Sequence, residues 1–390
     1  MQVEPLRIGI IGYGNIARTH MGFFDKNEVA HAKVTAIFDI DKEKVKAVKE
    51  KYQDQIAAFD NEKDFFESKL FDAIIICTPH YDHPHYAIKG FENNLHVLCE
   101  KPSGVYTKQV RKMNQAYEKH TDLVFSMMYN QRTSPLYSQV KKIMNSGEMG
   151  EIRRCVWIIT DWFRSQSYYD SGGWRATWSQ EGGGVLLNQD PHQLDLWQWI
   201  CGMPTRVRAF LGFGKFHDVE VEDDVTAYVE YENGATGVFI TSTGEAPGTN
   251  RFEISTDRGK IVIENNKVVI HKLKEDLKEF IKTSEKPFAI PEMEVIELDT
   301  DLPDPKHKGI LINFVNAVLF NEPLIAPGLE GILGLTISNA MHLSQWTDSW
   351  VDLPFDEDLF YELLQKQIKE SDFIKKQIKE VDASDMDSSF

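Results

Sequence analysis

Three small residues near the start of the chain have the types and spacing needed to hold a phosphate. Gly12, Gly14 and Ala17 in "GIIGYGNIA" fit G-x-G-x-x-[GA]. In that pattern the first glycine makes a tight turn, the second lets backbone approach a pyrophosphate, and the third small residue lets a helix pack on a strand. Asp39 stands at the end of the next apolar run, "AKVTAIFD", where a carboxylate can accept from a ribose hydroxyl. The same charge would repel a 2′-phosphate, and no arginine follows in "DIDKEK", so NAD is expected in preference to NADP.

The elements around these residues form a repeating series. "LRIGIIG" is a short β-branched run ending in glycine, suited to a strand buried on both faces, and "NIARTHMGFF" follows with helical spacing. "FDAIIICTP" and "LHVLCEKP" predict two more strands, with helices in "DKEKVKAVKEKY" and "HPHYAIKGFENN". Such alternation implies a doubly wound parallel sheet. Later, "RRCVWIITDWF", "TRVRAFLGFG", "DVTAYVEYENGATGVFITST" and "GKIVIENNKVVIHKL" are strand-rich, with "ENG" and "ENN" as hairpin turns, and "ILINFVNAVLF" and "GILGLTISNAMHLSQW" are helical. The expected class is α/β followed by α+β. The expected units are a Rossmann domain over 1–128, a substrate-binding and oligomerisation domain over 129–365, and a charged helix or tail over 366–390.

Composition limits the function. At 390 residues, with 42% apolar and 26% charged residues, the chain reads as globular with more than one core. A net charge of −17 argues against nucleic-acid or anionic-membrane binding. The N-terminus shows no charged leader with a long apolar region, and no run approaches the roughly 20 apolar residues of a membrane span, so a cytoplasmic location is expected. Cys77, Cys99, Cys155 and Cys201 are spread singly and read as buried small hydrophobes. "HYDHPH" lacks nearby cysteine and is interrupted by Pro84, so no metal is expected.

"CEKPSG", together with the glycine fingerprint and "CTPHYDHPHYAI", resembles the glucose-fructose oxidoreductase, inositol dehydrogenase and rhizopine-catabolism family, Gfo/Idh/MocA. The resemblance implies that Lys101 lies at the reacting centre and that Pro102 follows a cis peptide. It implies cofactor contacts from Gly12, Gly14, Asn15, Ile16, Ala17 and Asp39, from Thr78, Pro79 and His83, and from Glu100, Lys101 and Asn130. A second segment, "GGGVLLNQDPHQLD", is similar to the family's G-G-G-x-L-x-D-x-x-x-H-x-x-D, with Asn188 where the family has aspartate. Asn188, His192 and Asp195 are spaced i, i+4 and i+7, one face of a helix, which Pro191 should distort locally.

These groups suit oxidation of a secondary alcohol, in which a hydride leaves carbon and a proton leaves oxygen. His192 can take the proton, since imidazole titrates at about pH 6.5. Lys101 can steady an alkoxide or relay the proton, and Asn188 can bind a hydroxyl and orient the ring. Arg132, in a segment resembling the family's N-x-R, and the cluster Trp162, Arg164, Tyr168, Trp174 and Arg175 suit a polar cyclic ligand, because aromatic faces stack on sugar rings. His307 is a further residue within possible reach. The expected activity is NAD-dependent oxidation of a sugar, glycoside or cyclitol hydroxyl. Glycoside cleavage by transient oxidation and a non-catalytic NAD sensor, the latter suggested by Asn188, are the alternatives. A homodimer or homotetramer through the C-terminal sheet is expected from the resemblance.

Overall fold

The computed structural model describes residues 4–375. Strands β1 (Leu6–Ile11), β2 (Ala32–Phe38), β3 (Ala57–Phe59), β4 (Ala73–Ile76), β5 (His96–Cys99) and β6 (Phe125–Met127) form a parallel sheet in the order β3-β2-β1-β4-β5-β6. Ile8, Ile10, Ile74, Ile75, Val97 and Leu98 are wholly buried, which explains why the central strands are continuous apolar runs without alternation. Strand order reverses beside β1, so β1 and β4 open a crevice beyond their carboxyl ends. The glycine loop, Thr78 and Lys101 all lie past such ends. Strand β3 was not expected, because three partly buried edge residues carry almost no pattern.

The second sheet has nine strands: β7 (Ile152–Ile159), β8 (Arg206–Phe213), β9 (Glu222–Glu230), β10 (Thr236–Ser242), β11 (Asn250–Thr256), β12 (Gly259–Glu264), β13 (Lys267–Leu273), β14 (Met293–Leu298) and β15 (Val351–Asp352). Their order is β14-β13-β12-β11-β7-β10-β9-β8-β15, antiparallel except between β7 and β10. Asn265 and Asn266, at φ 51° and 58°, close the β12–β13 hairpin in the left-handed region that asparagine tolerates. Strands β11, β14 and β15 are not expected from the sequence. On the inner face Trp157 stacks on Phe252 at 4.2 Å, and Trp197 of helix Pro191–Cys201 packs edge-on against Phe239 at 5.5 Å. Helix Gly331–Thr347 covers the same face alongside it. All four cysteines are buried and free. The charged segment expected from 366 begins inside helix Glu357–Glu370, and its part after 375 lies outside the described residues.

Two expectations are corrected here. Asn188, His192 and Asp195 do not share a helix face, because there are two helices, Val185–Asn188 and Pro191–Cys201. Pro191 has no N–H to continue a helix and instead occupies the first turn of the second, where that donor is not needed. Asp195 therefore points away from the cavity, toward Arg132. Arg132, expected to bind substrate, is 2% exposed and fully engaged. Its Nε and Nη2 donate to Asp195 at 2.8 and 2.7 Å, and its Nη1 donates to Glu330 at 2.5 Å and to the Ile325 carbonyl at 3.1 Å. A bidentate guanidinium buried this way ties the chain after β6 to helix Pro191–Cys201, and has a structural duty. Arg132→Leu should lower unfolding free energy by about 3–5 kcal/mol in urea titrations, because it strands the Asp195 carboxylate; a loss below about 1 kcal/mol would contradict that duty.

Candidate functional site

A cavity of about 580 Å³ runs from the glycine loop to the second sheet. At one end lie Gly12, Gly14, Asn15 and Ile16. Gly12 has φ +86°, and a Cβ there would meet the Cys77 carbonyl oxygen at 2.8 Å, so no other residue fits. Above Gly14 the space is open. Helix Asn15–Asp25 begins there with no side-chain cap and no acidic residue in its first turn, which leaves its N–H groups for an anion. This cradle fits a dinucleotide pyrophosphate. Ala17 is wholly buried and does not line the cavity, consistent with its packing role in the fingerprint. Asp39 is fixed at the rim: one oxygen accepts from Tyr13 N at 2.7 Å, the other from Asp41 N at 2.8 Å. Lys44 reaches Asp39 at 3.3 Å and also lines the cavity, a cation the sequence reading passed over.

At the middle of the cavity the ends of β4 and β5 meet. Thr78 and Pro79 line it, and His83 bridges the Pro102 and Thr78 carbonyls at 2.6 and 2.8 Å. Burial holds the His83 pKa below its ordinary value, against the pull of those two carbonyls. Glu100 is buried and bonded to His20 Nε2 at 2.7 Å. Burial pushes its carboxyl up, but the His20 hydrogen bond and charge, with His307 and Lys101, hold it below the usual range. His20 could not be found from sequence, because a histidine in the first helix carries no mark of a partner beyond β5.

Lys101, followed by a cis peptide to Pro102, extends across the cavity, and its Nζ donates to the Asn188 carbonyl at 2.7 Å. Burial lowers the Lys101 pKa; Glu100 and Glu181 oppose the shift, and Arg175 and Arg164 add to it. The Asn188 side chain is occupied elsewhere, its amide nitrogen donating to Glu181 and its oxygen accepting from the Tyr168 hydroxyl at 3.3 Å. His192 faces the same cavity, edge-on to Tyr129 with ring centroids 6.2 Å apart. Its buried Nδ1 has no hydrogen-bond partner. Burial, reinforced by Lys101 and His307, puts its pKa well below 6.5. Asn130 and His307 complete this wall, 3.2 Å apart. Trp162, Arg164, Tyr168, Trp174 and Arg175 line the far end, joined by Gln189, which donates to the Tyr168 hydroxyl at 3.0 Å. Glu181 and Gln189 were also not read from the sequence.

Comparison with known proteins assigns both domains to one family. Residues 6–128 match the NAD-binding Rossmann fold of an oxidoreductase family, and residues 137–262 match the Gfo/Idh/MocA C-terminal domain. The chain belongs to the Gfo/Idh/MocA family. It is 24% identical over 268 residues to myo-inositol 2-dehydrogenase of Thermotoga maritima, a match covering 67% of this chain and 75% of the relative. It is 24% identical over 253 residues to D-glucoside 3-dehydrogenase of Escherichia coli, covering 60% and 69% respectively. Among solved structures, the WlbA dehydrogenase of Chromobacterium violaceum, in complex with NADH and UDP-GlcNAcA, superposes with a TM-score of 0.78 at 25% identity, over 91% of this chain and 98% of that one. The protein is thus an NAD-binding member of a family of sugar and cyclitol oxidoreductases. No helix among the described residues is long and apolar enough to cross a membrane.

In this Gfo/Idh/MocA chain the glycine-rich segment before Asn188 is held from below. Glu222 accepts from Gly184 N at 2.9 Å and Leu186 N at 3.1 Å, capping helix Val185–Asn188, and its other oxygen meets His342 at 3.0 Å. A Cβ at Gly184 would overlap the Glu222 backbone carbonyl. Burial lowers the His307 pKa to about 4. The folded state then binds fewer protons than the unfolded state between about pH 6.5 and 4, so this group's contribution is intact above 6.5 and is lost as pH falls. His307→Asn should reduce the loss of stability between pH 7 and 5 by about 2 kcal/mol in paired urea titrations; identical losses in both proteins would refute the shift.

Proposed function

We propose that this cavity oxidises, reversibly, a ring secondary hydroxyl of a sugar, glycoside or cyclitol to the ketone. Gly12, Gly14 and the first turn of helix Asn15–Asp25 would hold NAD, which would supply a two-electron hydride acceptor for the carbinol C–H bond. The hydroxyl proton goes to the protein. His192 receives it: its buried Nδ1 has no hydrogen-bond partner, and burial keeps the ring neutral with a nitrogen lone pair available. Lys101 steadies the developing alkoxide; the Asn188 carbonyl takes one of its N–H groups and leaves two for substrate. Asn188 acts through its backbone, which explains how the family's aspartate can be absent here without loss of the lysine's anchor. The observation that supports this reading is that Lys101 and His192, from opposite sheets, line one cavity with Gly12 and Gly14.

Three further points belong to the same proposal. NAD is preferred to NADP, because Asp39 fixes a negative charge beside the ribose position; Lys44 opposes that preference only in part, since it is paired with Asp39. The protein works in the cytoplasm as a dimer or tetramer. The outer face of the second sheet supports assembly, since Phe210 and Tyr228 are 59% and 38% exposed there and Val156, Ile158, Val238 and Ile240 lie on the same face.

Lys101→Ala and His192→Ala should each lower kcat by about 10²–10⁴-fold on a polyol that the wild type oxidises, with NADH affinity by fluorescence titration unchanged within about threefold; near-normal turnover in both would refute the roles. Net NADH from the wild type separates a dehydrogenase from a cycling glycoside-cleaving enzyme, which would release aglycone without it. Asp39→Ala should cut the NAD-to-NADP ratio of kcat/KM by about tenfold or more, and an unchanged ratio would remove Asp39 as the discriminator. Light scattering should return at least twice the chain mass of 44.8 kDa. A single-chain mass would contradict the assembly.

A further inference from the structure

Two arginines at the far end of the cavity are half-buried yet lack an ion pair among the described residues. Of the other described arginines, Arg7, Arg111, Arg132, Arg153, Arg206, Arg208, Arg251 and Arg258 each pair with a carboxylate, while Arg18 and Arg154 are exposed to solvent. Acidic residues outnumber basic ones by 60 to 43, so a partner is easy to find. Arg164 and Arg175 nevertheless pair with none among the described residues. Aromatic rings hold them instead. Arg164 lies 5.4 Å from the Trp162 ring and 5.1 Å from Tyr168, and Arg175 lies 4.6 Å from both Tyr168 and Trp174. The nearest acids are already committed: Glu181 to Ala176 N and the Asn188 amide, Asp161 to Asn250, and Asp170 to Gln166.

The two guanidiniums are also poorly satisfied. The Nε of each is buried without an acceptor. Beyond these, Arg164 donates to the Phe163 carbonyl at 3.0 Å and Arg175 to the Tyr168 hydroxyl at 2.9 Å. Tyr168 also bonds Asn188, whose carbonyl holds Lys101, so this cationic pair adjoins the reacting centre and stands on the second-sheet wall, away from the glycine loop on β1. Glu100, the acid closest to Lys101, is bonded to His20. A neutral hydroxyl could take one N–H but would leave two half-buried charges without an ion-pair partner, whereas a carboxylate or phosphate satisfies both charge and fork geometry.

We infer that Arg164 and Arg175 form an anion subsite, and that the ring oxidised here carries a carboxylate or a phosphate ester. The inference rests on the proposed reading of the cavity as a polyol site and narrows its substrate class.

The test uses the full chain with NADH bound, reading substrate binding from the fluorescence of Trp162 and Trp174, and with NAD, reading NADH absorbance. The probes are matched pairs: D-glucuronate against D-glucose, and glucose 1-phosphate and UDP-glucose against methyl glucoside. The expected result is that an anionic member binds at least about 30-fold more tightly than its neutral partner, a preference in the range of a charge-assisted bidentate contact. Which pair shows it tells carboxylate from phosphate. Arg164→Gln with Arg175→Gln should bring the ratio to within about threefold, and the double lysine variant, which keeps charge but loses the fork, should fall between. Neutral sugars oxidised with no anion preference would overturn the subsite and leave the oxidation reading standing, as would a preference surviving in the folded glutamine variant. An anion preference in binding with no NADH from any compound would overturn the oxidation reading, and with it the assignment of that anion to a substrate.

Discussion

The hydrogen bond from Lys101 to Asn188 joins the two halves of this cavity at the reacting centre. The Lys101 ammonium, at the tip of a central parallel strand, donates at 2.7 Å to the Asn188 carbonyl at the end of a short helix over the other sheet. A lysine side chain has several free torsions, and unpaired it would sample the whole cleft. Pinned at its end, it presents its remaining N–H groups in a fixed direction. The acceptor is equally constrained, because helix Val185–Asn188 is capped by Glu222 and must stop before Pro191. The break at Pro191 then starts a second helix with His192 in its first turn, facing the lysine's cavity.

Electrostatics inside the cavity run against the surface. The chain carries a net charge of −17, yet Lys101, Arg164, Arg175 and Lys44 all line one cavity. Acidic groups near the reacting centre are quenched in different ways. Glu100 is bonded to His20, and burial pushes the Glu181 carboxyl up while Arg175 pulls it back. The histidines there are kept from adding charge: burial drives the pKa values of His80, His83, His192 and His307 down. Lys101, Arg164 and Arg175 thus face developing alkoxide charge without a carboxylate salt bridge among the described residues, while the imidazoles stay neutral at pH 7.

Much of this was legible in the residues, for physical reasons. Buried parallel strands must be continuous apolar runs, so β1, β2, β4 and β5 stand out. A pyrophosphate cradle needs glycine at the turn where a Cβ would strike Cys77 and again where backbone must come close to the phosphates, so Gly12 and Gly14 stand out too. Orientation was not legible. The N-x-R spacing around Arg132 places the residue beside the cavity but says nothing about which way a guanidinium turns, and the buried Asp195 with the half-buried Glu330 turns it inward. Proline can bend a helix or start a new one; the contacts of Asp195 with Arg132 accompany the second outcome. His20, Glu181 and Lys44 had no local signature, because each matters through a partner that only the fold supplies.

The central claim is spatial: a strand-end lysine and a helix-start histidine from different sheets converge on one nicotinamide. A crystal structure of the NAD complex tests it most directly. The account predicts the pyrophosphate over Gly14 and the Asn15 helix start, with Lys101 Nζ and the His192 ring both within about 5 Å of the ring carbon that accepts hydrogen, a separation one substrate carbinol can span. A nicotinamide lying outside the Lys101–His192 cavity, or a His192 side chain closed off from it, would contradict the account.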